Sequence, residues 1–397
     1  MDQSSSPEIK TVDTSAGPNS AKHFPTVGIL GGGQLGRMLA LAGIRMGLKV
    51  RFLSPTPDGP MQGLGEQIVA DWKDPEVLRA FAEGCDVVTS ESEWAPADIL
   101  EQVLPDRTAL WPRPETLTLI RHKGIQKSTL AAAGLPVPAF KRCTTLEETL
   151  AAASDFGYPV MLKQYQGSYD GYGNATARTP EDVTAAWSKL AGEDGLLVEA
   201  WAPFVRELSV LVARRPGGEH VVYPVAYTEQ RDHRCHAVVV PAEIDPTVAE
   251  KARRIALAAV EVVGGVGITA VELFEMPDGS VLINEMAPRP HNTGHYSIEG
   301  SYTSQFENHL RAILDWPLGS PELRAPVAVM VNVLGHRSGA TGTDGLTEAL
   351  TIPGASIHIY GKEEVRPRRK MGHVTVTGSD AAETRRLAER AAELIQL

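Results

Sequence analysis

From Thr26 onward, short apolar runs alternate with longer stretches of helical spacing. "TVGIL" reads as a buried strand, "GQLGRMLALAGIRMG" as a helix and "KVRFLS" as a second strand. "DPEVLRAFAEG" and "CDVVTSE" repeat the alternation as helix and strand. Strands alternating with helices predict a parallel, doubly wound sheet, here running to Ile120. A helix through "GIQKSTLAAAGLPVP" is stopped by Gly134 and Pro136. Beyond it, "YPVMLKQ", "GLLVEAW" and "RELSVLVARR" read as strands and "PTVAEKARRIALAAVEVVG" as a long helix. After "TSQFENHLRAILDWPLG" the pattern is strand-rich to "KMGHVTVTG", and an amphipathic helix, "DAAETRRLAERAAELIQL", closes the chain. The expected organisation is a tail over 1–23, an α/β domain over 24–120, and a mixed α+β central domain over 121–318. A lid over 160–200 belongs to the central domain, and a strand-rich domain follows over 319–397.

Composition narrows the class. The 397 residues are 43% hydrophobic and 22% charged, ordinary for a soluble globular protein of several domains. A formal charge of −11 argues against general affinity for nucleic acid or anionic membrane. Any anionic ligand must therefore meet a local basic cluster. Three widely spaced cysteines, Cys85, Cys143 and Cys235, form neither a disulfide framework nor a zinc knuckle and suit a reducing cytosol. No apolar run has the length of a transmembrane helix. Residues 1–23, rich in Ser, Thr and Pro, contain no apolar core of a signal peptide and read as a disordered tail.

Gly31, Gly33 and Gly36 in "ILGGGQLGRML" have the G-x-G-x-x-G spacing of a turn that brings a phosphate to a helix N-terminus. A nicotinamide dinucleotide would also need an acidic residue at the end of the second strand. Ser54 stands there, and Asp58 lies past two prolines. The turn therefore reads as a phosphate or substrate turn, or as close strand-to-helix packing.

The most informative stretch is "ITAVELFEMPDGSVLINEMAPRP". Asp278-Gly279 between two alternating runs predicts a hairpin with a two-residue type I′ turn. In that register, as with a symmetric four-residue loop, Glu272 faces Glu285 directly. Opposed carboxylates among Val271, Leu273, Ile283 and Met286 repel. Either a cation lies between them, Mg²⁺ or Mn²⁺ shared with substrate phosphates by oxygen ligands, or they belong to a solvated face paired with Lys or Arg. No P-loop is present, but Lys163 precedes the glycine-rich "QGSYDGYGN" and Lys127 lies on the preceding helix. A lysine with a mobile glycine loop can cover nucleotide phosphates. His291 and His295 have no third metal partner and suit hydrogen bonding. Arg289 could stabilise a developing anion or form a structural ion pair. The cluster in "RPRRK" suits a phosphate.

With these motifs the chain resembles the ATP-grasp superfamily, and most closely the 5-(carboxyamino)imidazole ribonucleotide synthases, the ATPase subunits of phosphoribosylaminoimidazole carboxylase. "GILGGGQLGRML", "NEMAPRPHNTGHYSIEGSYTSQFENHLRAIL" and "RPRRKMGHVTV" carry the resemblance, which extends from Thr26 to Val376. It implies an N-terminal doubly wound domain, a central ATP-grasp domain with a mobile lid and a small C-terminal domain. It implies ATP, Mg²⁺ or Mn²⁺, bicarbonate and aminoimidazole ribonucleotide, in a cytoplasmic homodimer of purine biosynthesis. ATP would phosphorylate bicarbonate to carboxyphosphate, and the exocyclic amine of the ribonucleotide would take the carboxyl group. By position, Lys123, Lys127, Lys163, Gly167, Gly171 and Gly173 would surround ATP, with Glu199, Ala200 and Trp201 at the adenine and Glu207 at the ribose. Glu272 and Glu285 would carry the metal, and Asn284 would bind ATP. Tyr169, Asp170, Arg289 and Lys370 would act at the reacting groups. Gln34, Leu35, Glu91, Glu93, Asn292 and Arg369 would hold the ribonucleotide, the opening turn and the basic cluster taking its 5′-phosphate.

The chain departs from the family pattern where the substrate's amine and ring would sit. "TSESEWAP" keeps Glu91 and Glu93 but has Ser90 and Trp94 in place of the usual residues. The lid carries Tyr172 where the family has Lys or Arg, and Gln230 stands where it has His. A formate-dependent glycinamide ribonucleotide transformylase has a similar "PRPH" region but lacks the Tyr-Asp-Gly of 169–171. That enzyme and a non-catalytic nucleotide-binding module are the alternatives.

Overall fold

The computed structural model describes residues 24–57, 59–167, 172–231 and 234–397. The expected tail, Asp58, and the lid residues Tyr169, Asp170 and Gly171 lie outside the described residues.

The N-terminal alternation folds into a parallel five-stranded sheet in the order β3-β2-β1-β4-β5. Its strands are β1 (Thr26–Leu30), β2 (Lys49–Ser54), β3 (Glu66–Val69), β4 (Val87–Ser90) and β5 (Ala109–Leu110). The stretch expected to form the third strand is β4. The short edge strand β3 precedes it and gives little periodic signal, because none of its four residues is buried. Ile29, Met38, Leu39 and Phe52 build the core between this sheet and the helix Gln34–Arg45.

A second, antiparallel sheet of four strands follows, ordered β6-β9-β7-β8. These are β6 (Phe140–Cys143), β7 (Val160–Gln164), β8 (Asn174–Ala177) and β9 (Leu196–Ala200). The third sheet has nine strands. Its first six are β10 (Arg206–Arg214), β11 (His220–Val222), β12 (Ala226–Arg231), β13 (Arg234–Val240), β14 (Gly267–Glu275) and β15 (Val281–Ala287). Beyond them lie β16 (Val327–Leu334), β17 (Gly339–Ala340), β18 (Ala355–Ile359), β19 (Glu364–Val365) and β20 (Lys370–Gly378). The order is β15-β14-β10-β12-β13-β16-β20-β18, with β11 beside β10, while β17 and β19 pair separately. The C-terminal strands thus extend the central sheet through the β13–β16 ladder.

The helix Pro246–Val262 covers β10, β14 and β15. Its Val248, Ala252, Ala256 and Val260 recur at helical spacing and are buried against Val210, Leu273 and Ile283. The helix Gln305–Ile313 ties the central sheet to the N-terminal domain, with Phe306, Leu310 and Ile313 in the N-terminal core. Its fully buried His309 accepts from the Ile268 amide at Nδ1 (3.0 Å), so Nε2–H donates to the Thr89 hydroxyl on β4 (2.9 Å).

Burial holds the His309 imidazole at a pKa of about 3. The unfolded chain takes up that proton near 6.5. The stabilisation is complete above 6.5 and is lost as the pH falls. His309→Gln can keep both hydrogen bonds without titrating. Thermal melts at about pH 7 and about pH 5 are expected to show a smaller loss of Tm for His309→Gln than for the wild type.

Candidate functional site

The site lies where the second sheet meets the β14–β15 hairpin and the C-terminal ends of the parallel strands. Its floor is set by register. Glu272 pairs directly with Glu285, as the sequence predicts. The route to that register differs from the prediction. The turn is a three-residue loop, Pro277-Asp278-Gly279. It is closed by the Gly279 amide on the Met276 carbonyl and the Met276 amide on the Ser280 carbonyl, both at 2.9 Å. Gly279 takes φ +72°, the left-handed geometry of a three-residue turn. Leu273 therefore pairs with Ile283, one residue out of the expected register. A bulge at Asn284 adds the residue back and returns Glu272 opposite Glu285.

Three lysines reach this hairpin. Lys123 opens the helix Lys123–Ala132 and its ammonium lies 2.5 Å from Glu285 Oε2. Lys163 on β7 donates to the Asn284 side-chain oxygen at 2.9 Å and lies 2.8 Å from Glu199 Oε2. Lys127, one turn beyond Lys123, donates to the Ile283 carbonyl at 2.9 Å and lies 3.1 Å from Glu199 Oε1. The Glu199 carboxylate is 3% exposed and each of its oxygens faces a lysine, Oε1 in an ion pair without a hydrogen bond. Ala200 ends β9 and Trp201 follows it, 43% exposed.

Desolvation in the cleft raises the Glu272 carboxyl, and the facing Glu285 raises it further. Desolvation would raise Glu285 as well, but Lys123 and Lys163 outweigh it and hold Glu285 ionised. At Glu272 the desolvation and the facing charge outweigh what Lys123 and Lys370 supply. Two carboxylates and the adjacent Asn284 amide offer the hard oxygen donors that Mg²⁺ prefers. Among the described residues no group of three or more His, Cys, Asp or Glu side chains forms a complete metal cage. Two carboxylates completed by substrate phosphates fit such a site. His291 lies 3.5 Å from Glu272, but burial, with Arg289 and Lys370, lowers its pKa to about 3, so the contact is with a neutral ring.

The glycine turn is built for close approach. A Cβ at Gly31, which has φ +121°, would sit 2.3 Å from Glu91 Oε1. Glu91 itself accepts from the Gly33 amide and, at 2.8 Å, from the Gly36 amide. The chain's own carboxylate thus caps this helix N-terminus. Among the described residues, the first-turn amides of Gln34 and Leu35 have no backbone acceptor. Ser54 is buried and pairs with Thr56, so the end of β2 offers no carboxylate for a dinucleotide ribose. Arg289 holds Glu93 through two hydrogen bonds of 2.6 and 3.2 Å. Both polar ends of the Asn292 side chain are buried without a hydrogen-bond partner.

The basic cluster divides. Lys370 lies close enough to Glu272 and His291 to lower both. Arg369 donates to the Glu364 carbonyl at 2.8 Å. Lys362 donates to the Lys370 carbonyl at 2.6 Å and its charge acts on Glu91, which joins the C-terminal segment to the glycine turn. Burial raises Glu207, which is hydrogen-bonded by Gln230. Tyr172 accepts from Arg234 at 3.0 Å, and the guanidinium lies 5.4 Å over its ring. Arg234 was not visible as a site residue in the sequence, because a single arginine among strand residues has no motif.

Comparison with known proteins agrees with this architecture. Residues 128–306 match the ATP-grasp domain, 24–121 the ribonucleotide synthetase preATP-grasp domain and 328–387 the phosphoribosylaminoimidazole carboxylase C-terminal domain. The chain is 41% identical to the N5-carboxyaminoimidazole ribonucleotide synthase of Mycobacterium bovis, over 93% of this chain and 87% of that protein. It is 40% identical to the chloroplastic phosphoribosylaminoimidazole carboxylase of Vigna aconitifolia over 89% of its own length, and spans 64% of that longer protein. The solved N5-carboxyaminoimidazole synthase of Aspergillus clavatus, in complex with ADP and 5-aminoimidazole ribonucleotide, superposes with a TM-score of 0.85 at 34% identity, covering 94% of this chain and 98% of that one. The chain belongs to the N5-carboxyaminoimidazole ribonucleotide synthase family.

A carboxyl raised by folding costs nothing below its ordinary value of 4.5 and destabilises progressively as the pH rises above it. Without metal, Glu272→Gln is therefore expected to raise Tm at neutral pH and to leave Tm nearly unchanged at about pH 4. Paired melts at the two pH values check this. Destabilisation at neutral pH would contradict the repulsion.

Proposed function

We propose that this chain carboxylates the exocyclic amine of 5-aminoimidazole ribonucleotide, using ATP and bicarbonate. The observation that carries the reading is the facing pair Glu272 and Glu285, flanked by Lys123 and Lys163 and overlooked by Lys370. The γ-phosphoryl group of ATP passes to a bicarbonate oxygen, giving carboxyphosphate and ADP. The amine nitrogen then attacks the carboxyl carbon, the C–O bond to phosphate breaks, and inorganic phosphate leaves as the amine loses a proton.

In this reading Lys123 and Lys163 meet the ATP phosphates, with Gly167 and Gly173 allowing close approach of the loop backbone. The backbone of Glu199 to Trp201 lies at the adenine and Glu207 at the ribose. Glu272 and Glu285 would hold Mg²⁺ or Mn²⁺, which would supply charge neutralisation at the transferring phosphoryl, and Asn284 lies beside them toward the ATP. The free Gln34 and Leu35 amides, with Lys370 and Arg369, take the ribonucleotide phosphate. Glu91, Glu93 and Asn292 face its sugar and ring. Arg289, oriented by Glu93, offers a fixed cation to carboxyphosphate. The three free, buried cysteines support a reducing cytoplasm. Exposed Phe24, Leu41 and Ile44 support a homodimer, which sedimentation would test.

ATP hydrolysis is expected only when aminoimidazole ribonucleotide and bicarbonate are both present, and formate should not replace bicarbonate. ADP release without substrate dependence would reject this function. Glu285→Gln should lower turnover about a hundredfold or more. A phosphate-release assay reads both results.

A further inference from the structure

We propose that Lys127 does not touch nucleotide: it is a positioning residue that, by sharing Glu199 with Lys163, leaves Lys163 with positive charge to offer a phosphate. The inference rests on the reading of Lys163 as a phosphate ligand. The side chains of Lys127, Glu199 and Lys163 are 2%, 3% and 7% exposed, so the three charges are nearly free of solvent screening.

Their geometry is directional. One Glu199 oxygen faces Lys127 at 3.1 Å and the other faces Lys163 at 2.8 Å. Lys127 is also fixed by the Ile283 carbonyl at 2.9 Å, immediately before the bulge residue Asn284, which itself holds Lys163. Lys127 already spends its ammonium on the carboxylate, as an ion pair, and on this carbonyl, as a hydrogen bond, and it is the least exposed of the three side chains. Lys163 is the most exposed of the three.

Two cations share one anion, so the cluster carries one net positive charge. Without Lys127, Glu199 would neutralise Lys163 completely and hold it more tightly. The ligand would then meet an ion pair instead of a cation. Lys127 thus acts on nucleotide affinity through Glu199, and through the Ile283 carbonyl it braces the strand that carries Glu285.

The test is ADP affinity by calorimetry at neutral pH on the full chain. Lys127→Gln, whose amide can still donate to the Ile283 carbonyl, is expected to weaken ADP about tenfold or more. Lys127→Gln with Glu199→Gln restores the single net charge and is expected to recover affinity to within about threefold of wild type. A direct phosphate contact by Lys127 predicts no recovery, and a purely structural role predicts a lower Tm with unchanged ADP affinity. Either result overturns the proposal. If Lys127→Gln does not fold, Glu199→Gln alone decides it: with the shared carboxylate gone, Lys163 keeps its full charge, so ADP is expected to bind more tightly than to wild type, and weaker binding overturns the proposal. Lys163→Gln is the control for the underlying reading. If it leaves ADP affinity unchanged, the phosphate assignment of Lys163 fails, independently of Lys127.

Discussion

Two carboxylates facing each other across one β-ladder are the constraint around which this site is organised. Their repulsion is built into the register, so it cannot be relieved by rotating a side chain away. The protein surrounds the pair with positive charge from separate segments: Lys123 from a helix start, Lys163 from the second sheet and Lys370 from the C-terminal strands. Each segment must be in place for the others to be tolerated. The cleft is thereby an electrostatic junction of a helix start, the second sheet and the central sheet.

Much of this was legible in the sequence, because the signals were local. The hairpin's Asp-Gly and its alternating runs located the glutamate pair, and the alternation of strands and helices gave the N-terminal sheet. What escaped had no local signature. The three-residue turn and the bulge at Asn284 each shift the ladder by one residue, and their effects cancel at Glu272 and Glu285. A two-residue turn gives the same pairing, so the sequence could not distinguish the two routes. The bulge matters nonetheless, since it turns Asn284 toward Lys163. The basic "RPRRK" cluster appeared uniform, yet Arg369 bonds to a neighbouring carbonyl while Lys370 is the one whose charge reaches Glu272.

The glycine turn shows how one physical principle can be satisfied from within. A helix N-terminus attracts an anion. Here Glu91, from the end of β4, occupies part of that role through the Gly33 and Gly36 amides. The glycine spacing is explained by the approach of this carboxylate as well as by any ligand. The G-x-G-x-x-G pattern is thus compatible with a turn that has no dinucleotide chemistry.

The continuity of the central sheet bears on how the chain can be divided. β13 pairs with β16 over four residues, Ala237 to Val240, and β16 pairs in turn along the whole of β20. Cutting the chain after residue 320 would strip β13 of its neighbour and leave an apolar edge with open amides and carbonyls. Such an edge recruits other chains. A fragment trimmed to the nucleotide cleft would therefore carry, beside its own site, a surface prone to self-association, and the C-terminal strands serve as the seal that keeps the cleft's sheet soluble.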